Sequence, residues 1–126
     1  MNDEQRKKLK KTSVLFVDDE TLVVDAMRDI FPMLFQTSFF ASNGEEALEI
    51  YKMNPVDIII TDITMPKMGG LELMQCIKKI NPSQKCIFVS GHNEIEIIQQ
   101  SKQVCSVYIL KPINSQLLFQ ALEEVL

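Results

Sequence analysis

No stretch of this chain approaches the ~20 consecutive apolar residues that a membrane-spanning helix requires, and its start lacks the apolar core of a secretory leader. A cytoplasmic location with no membrane contact is therefore the expectation. Histidine is almost missing, His92 standing alone. The cysteines Cys76, Cys86 and Cys105 are odd in number, widely spaced and without a C-x-x-C pair. A structural zinc site needs four closely set ligands, so zinc is excluded and three separate, buried thiols in a reducing compartment are expected. The chain shows no internal repeat, no low-complexity stretch and no linker. Positive charge does not dominate either. Thirteen Lys and Arg against 17 Asp and Glu give a formal net charge of −4, which argues against nucleic acid as the main partner of the folded part.

What is present suits one globular domain. Hydrophobic residues make up 46% of the 126 residues and charged residues 24%, and a chain of this length buries about two-thirds of its unfolded surface without staples. Residues 1–12 are basic and poor in apolar residues, with Arg6, Lys7, Lys8, Lys10 and Lys11. They are expected to form a flexible, solvated lead-in to a domain spanning 13–126.

Five apolar runs alternate with helical patterns. The strand runs are Ser13–Val17, Thr37–Ala41, Val56–Thr61, Cys86–Val89 and Val107–Leu110. After the first, Leu22, Val23, Ala26, Ile30 and Leu34 recur at helical spacing, and Pro32 should end or kink that helix in its last turn. Asn43 and Asn114 sit where helix caps are needed, and Leu71, Leu73, Met74, Ile77 and Ile80 mark a further helix ending before Pro82. The fourth helix, with Ile95, Ile97 and Ile98, is more polar. Such alternation predicts an α/β domain, one doubly wound five-stranded parallel sheet between two helical layers.

Chemistry-bearing groups follow four of the five runs: Asp18 and Asp19, then Asp62, Ser90 and Lys111. Open α/β sheets bind ligands beyond the carboxyl ends of their strands, so these groups converge on one rim. Three carboxylates at one edge repel one another unless a hard cation neutralises them, and Mg2+ fits an oxygen-only donor set. With an ammonium and a hydroxyl alongside, the arrangement suits phosphoryl transfer, one carboxylate acting as nucleophile.

The strings VLFVDDE at 14–20, DIIITDITMPKMGGLEL at 57–73, IFVSGH at 87–92 and YILKP at 108–112 resemble the receiver (CheY-like) domain of two-component response regulators. The resemblance covers residues 13–126. It implies a flavodoxin/CheY-like (βα)5 fold with strand order 2-1-3-4-5. It implies that Asp62 is the phosphoacceptor, that Asp19 ligates Mg2+ directly and that Asp18 does so through a bound water. Asp62 and the backbone carbonyl of Thr64 complete the implied metal set. Ser90 matches the switch hydroxyl, Lys111 the phosphoryl-contacting lysine before a cis-disposed Pro112, and Tyr108 the aromatic that swings inward. The implied donor is a sensor histidine kinase or histidine phosphotransfer protein. The implied output face comprises the fourth helix, fifth strand and fifth helix, which is also where a homodimer is to be sought. Enzymatic activity is not implied beyond self-phosphorylation from small donors and autodephosphorylation.

Two departures bear on that output face: the approach to the fifth strand reads Val104-Cys105-Ser106-Val107, and the fourth helical stretch carries Gln99, Gln100, Lys102 and Gln103. His92 reads as a solvated residue at a helix start. A degenerate receiver that only docks partner proteins is the main alternative, although the acids, the acceptor and the lysine are all present. An aspartate-nucleophile phosphatase of the haloacid dehalogenase type needs a second Asp where Thr64 stands.

Overall fold

Period-two alternation in the apolar runs decides the architecture, because successive strand side chains point to opposite faces. Val14 and Phe16 face one layer of helices while Leu15 and Val17 face the other, and all four are buried. The computed structural model describes residues 1–91, 95–100, 104–105 and 107–126. Its strands are β1 (Ser13–Val17), β2 (Thr37–Ala41), β3 (Ile58–Asp62), β4 (Lys85–Ser90) and β5 (Tyr108–Leu110). The helices are α1 (Asp3–Leu9), α2 (Thr21–Leu34), α3 (Gly44–Met53), α4 (Gly70–Ile80), α5 (Ile95–Gln100) and α6 (Ser115–Val125). All strand pairs are parallel, as the alternating pattern implied, in the order β2-β1-β3-β4-β5 that the family resemblance implied.

One core layer joins Leu15, Val17, Ile59 and Phe88 to Ala47 and Tyr51 of α3 and Leu73, Met74 and Ile77 of α4. The other joins Val14, Phe16, Ile60 and Val89 to Met27 and Phe31 of α2 and Leu118 and Leu122 of α6. Phe16 meets Phe31 edge-on, with centroids 5.5 Å apart and planes at 87°, a favoured geometry for the ring quadrupoles. Asn43 and Asn114 cap α3 and α6, accepting from the N–H groups of Glu46 and Leu117. Pro32 does not end α2: the helix runs on to Leu34. A proline so near the C-terminus removes one backbone donor, and the Phe35 N–H still closes the last turn onto Phe31.

The start of the chain departs from expectation. Residues 1–12, read from the sequence as a flexible lead-in, contain the helix α1. Asn2 and Gln5 form a reciprocal capping box at 2.8 and 2.9 Å. Asp3 and Glu4 occupy the first turn and Arg6, Lys7 and Lys8 the last, the charge order that suits the helix dipole. Leu9 then enters the core layer under α2 and α6, and the Met1 ammonium lies 3.3 Å from Glu123. Leu9, with Met1 packed against the same layer, and a cap hold the segment, and neither feature shows up in a count of hydrophobic periodicity.

Candidate functional site

The strand order reverses between β1 and β3, and the groups singled out by sequence flank that point. Asp18 directly follows β1, where its N–H donates to the Ala41 carbonyl at 3.1 Å. Its Oδ1 accepts from the Glu20 N–H at 2.8 Å, which turns the chain into α2. Asp62 is the last residue of β3. Both carboxylates are deeply buried, 1% and 3% exposed, while Asp19 is exposed. Oxygens of Asp18, Asp19 and Asp62 lie within 4.8 Å of one another.

Lys111 follows β5, and its Nζ lies 2.9 Å from Asp62 Oδ2. The Lys111–Pro112 peptide is cis, and the Lys111 N–H donates to the Ser90 carbonyl at 2.8 Å. Ser90 ends β4, fully buried, one residue beyond the register partner of Asp62. Its hydroxyl, like Asp18 Oδ2, is buried with no hydrogen-bond partner among the described residues. The structure thus brings Asp18, Asp19, Asp62 and Lys111 into one group, with Ser90 on the adjacent strand end. Thr64 is exposed in the loop after Asp62. Tyr108 starts β5, half exposed, outside the carboxylate cluster. His92, Lys102, Gln103 and Ser106 lie outside the described residues.

Two participants escaped the sequence reading. Glu20 places Oε1 3.9 Å from Lys111 Nζ; the run Asp18-Asp19-Glu20 hinted at it but offered no means to rank its three acids. Gly70 is the second. A Cβ there would stand 2.2 Å from the Asp62 carbonyl oxygen, so only glycine lets the start of α4 close against the acceptor's own backbone, where its N–H bonds the Ile63 carbonyl at 2.8 Å. Beside Lys111 a cleft of about 470 Å3 opens, walled by Leu22, Val23, Met27, Pro112 and Ile113.

Burial is the main cause that raises the Asp18 carboxyl above its ordinary value of 3.8, with the charges of Glu20 and Asp19 adding to it against the Glu20 N–H bond and Lys111. On Lys111, burial alone would lower the value, but the Asp62 hydrogen bond and the charges of Asp62, Asp18 and Glu20 outweigh it, and the net shift is upward. An acid with a raised folded value holds its proton longer folded than unfolded. Asp18 therefore weakens the fold progressively as pH rises from about 4 through its raised value. Asp18→Asn keeps the oxygen that accepts from Glu20 and removes the buried charge. In the presence of a chelator it should stabilise the protein by about 1–2 kcal/mol at pH 7, and that gain should vanish near pH 3. Denaturant titrations at the two pH values check both parts.

The sequence model of the response regulator receiver domain matches residues 14–123. The chain belongs to this family. Receiver domains are signalling modules of two-component systems and not classical enzymes. The receiver is 34% identical over 114 residues to chemotaxis protein CheY of Thermotoga maritima, covering 89% of this chain and 95% of that protein. It is 35% identical over 117 residues to the transcriptional regulatory protein YesN of Bacillus subtilis. That match covers 90% of this chain but only 32% of YesN, so the chain spans about a third of that relative. Among solved structures, it superposes on a chain of the CheX-CheY-BeF3-Mg2+ complex from Borrelia burgdorferi with a TM-score of 0.80, at 29% identity, covering 90% of this chain and 88% of that one.

Proposed function

We propose that this receiver accepts a phosphoryl group on the Asp62 carboxylate, in a Mg2+-dependent step, from a sensor histidine kinase or a histidine phosphotransfer protein in the cytoplasm. The observation that carries the proposal is the 2.9 Å contact between Lys111 and Asp62, whose carboxylate also belongs to a three-carboxylate cluster. The donor set fits the metal. It is oxygen-only, and Asp18 Oδ2 is a buried carboxylate oxygen with no hydrogen-bond partner among the described residues, an arrangement that favours a cation. Asp18, Asp19, Asp62 and the Thr64 carbonyl would hold Mg2+, which when bound neutralises the carboxylates and the charge developing on the transferring group. The Borrelia complex, one chain of which shares this fold, contains BeF3 together with Mg2+, and that supports the reading.

The chain's own residues supply the rest. An Asp62 oxygen attacks phosphorus: the O–P bond of an acyl phosphate forms as the donor's histidine N–P bond breaks, and the imidazole leaves, taking up a proton. Lys111, held charged by its acidic neighbours, meets a phosphoryl oxygen, and the Ser90 hydroxyl donates to another. Phosphorylation adds nearly two negative charges at one buried point. Ser90 moving toward them vacates space that Tyr108, now half exposed, fills from outside. The face of α5, β5 and α6 changes with it, and a homodimer or downstream partner would read that face. The apolar cleft walled in part by Asp18 and Lys111 suits the docking of the phosphoryl donor protein, since both residues belong to the acceptor's own group.

Incubation with acetyl phosphate and Mg2+ should add one phosphoryl group to the protein's mass, and excess EDTA should abolish the gain. An equal gain in EDTA would contradict the metal-dependent mechanism. Failure of Mg2+ to bind at all would favour a receiver that only docks partners.

A further inference from the structure

At the opposite end of the sheet from Asp62 lies a second constellation that phosphoryl transfer does not use. Cys86 is the second residue of β4, and Cys105 precedes β5 by three positions. Cys105 Sγ lies 3.1 Å from the Cys86 carbonyl and 3.3 Å from that of Val107, and Cys86 Sγ lies 3.8 Å from the Val104 carbonyl. Both side chains belong to the same core layer. The sequence suggested three separate buried thiols; the fold instead brings two of them close together and leaves Cys76 apart on α4.

We infer that Cys86 and Cys105 form an oxidation site, at which a peroxide converts the two thiols into an intramolecular disulfide joining β4 to the segment that leads into β5. The β4–β5 register, with Phe88 beside Tyr108, sets Cys86 next to the residues that lead into β5, and the Cys105 thiol already reaches the Cys86 main chain at 3.1 Å; the link requires a Cα separation of ~4.4–6.8 Å. Both cysteines are almost buried, at 6% and 7% exposure. Both line one cavity of about 310 Å3, with Lys78, Ser83, Lys85 and Glu124 also in its wall, through which a molecule as small as hydrogen peroxide reaches them.

The electrostatics favour the same chemistry. The neighbouring Cys86 side chain is the first cause that draws the Cys105 thiol below its ordinary value, against its own burial. The Cys105 side chain, then burial, pushes Cys86 up. The Lys78 ammonium favours the thiolate at both sulfurs, and thiolates are the reactive form. The balance is the same whichever of the two sulfurs attacks first; with Cys105 attacking, Cys86 is the resolving sulfur.

In the first step the Cys105 thiolate attacks peroxide. An S–O bond forms as the O–O bond breaks, and the departing hydroxide takes up the proton that Cys105 released, giving water and a sulfenic acid. The Cys86 sulfur then attacks Cys105 sulfur. The S–S bond forms, the S–O bond breaks, and hydroxide leaves with the Cys86 proton as a second water. Two thiols have lost two electrons, and one peroxide has become two waters.

The test treats the reduced, purified chain with hydrogen peroxide and maps its peptides without reduction. The expected result is a loss of two hydrogens, a single peptide link between Cys86 and Cys105, and reversal by dithiothreitol. Cys76→Ser should retain the link, and Cys86→Ser and Cys105→Ser should each lose it. The wild-type peptide map decides the matter even if a variant folds poorly. Links through Cys76, oxygen additions on Cys86 or Cys105 without a link, or thiols that stay reduced would each overturn the inference. None of these outcomes depends on whether Asp62 is phosphorylated.

Discussion

Replacing Lys111 with alanine is expected to slow phosphorylation of Asp62 by acetyl phosphate about 10²–10³-fold, the loss typical when one preorganised charge-stabilising group is removed from a shielded site. The argument starts from position. Lys111 is fixed by its N–H bond to the Ser90 carbonyl, and its Nζ sits 2.9 Å from Asp62 Oδ2. Charge growing on the transferring group therefore meets an ammonium that needs no rearrangement. The same substitution takes a positive charge away from a buried carboxylate and should destabilise the fold by about 1–3 kcal/mol. Mg2+ binding should persist, because Lys111 repels a cation. A rate within threefold of the native protein's would show that this contact is structural only.

Gly70→Ala should reach the same chemistry through the backbone. The added methyl carbon would stand 2.2 Å from the Asp62 carbonyl oxygen, 3.1 Å from its carbon and 3.2 Å from Ile63 Cα. These are main-chain atoms of the strand end, not the tip of a flexible side chain, so α4 or the acceptor must move. A loss of about 2–3 kcal/mol is expected from overpacking at such a point. A displacement of about 1 Å at the acceptor can itself cost 10²-fold in rate. Denaturant midpoints together with phosphorylation rates check the pair of effects; an unchanged midpoint would mean that the close approach is not obligatory.

How much of this was readable in advance follows from where each signal is stored. Asp18, Asp62, Ser90 and Lys111 announced themselves because buried parallel strands are plain apolar runs, and the polar residue ending each run falls on the ligand-binding rim. The strand order then followed from matching motifs. Helix α1 was missed because its stability lies in the Asn2–Gln5 cap and in the burial of Leu9, not in periodicity. The contact of Glu20 with Lys111 and the approach of Gly70 to Asp62 are tertiary facts that link residues 91 and 8 positions apart. Local sequence carries no record of such distances. The pairing of Cys86 with Cys105 belongs to the same class: spacing alone separates these thiols, and adjacent strands bring them together.

The account rests most directly on Asp62 as the phosphoryl acceptor. The decisive measurement is peptide-resolved mass spectrometry after incubation with acetyl phosphate and Mg2+, made on the native chain and on Asp62→Asn. The account predicts one phosphoryl group on the peptide carrying Asp62 and none on the variant. An equal mass gain on Asp62→Asn would contradict it.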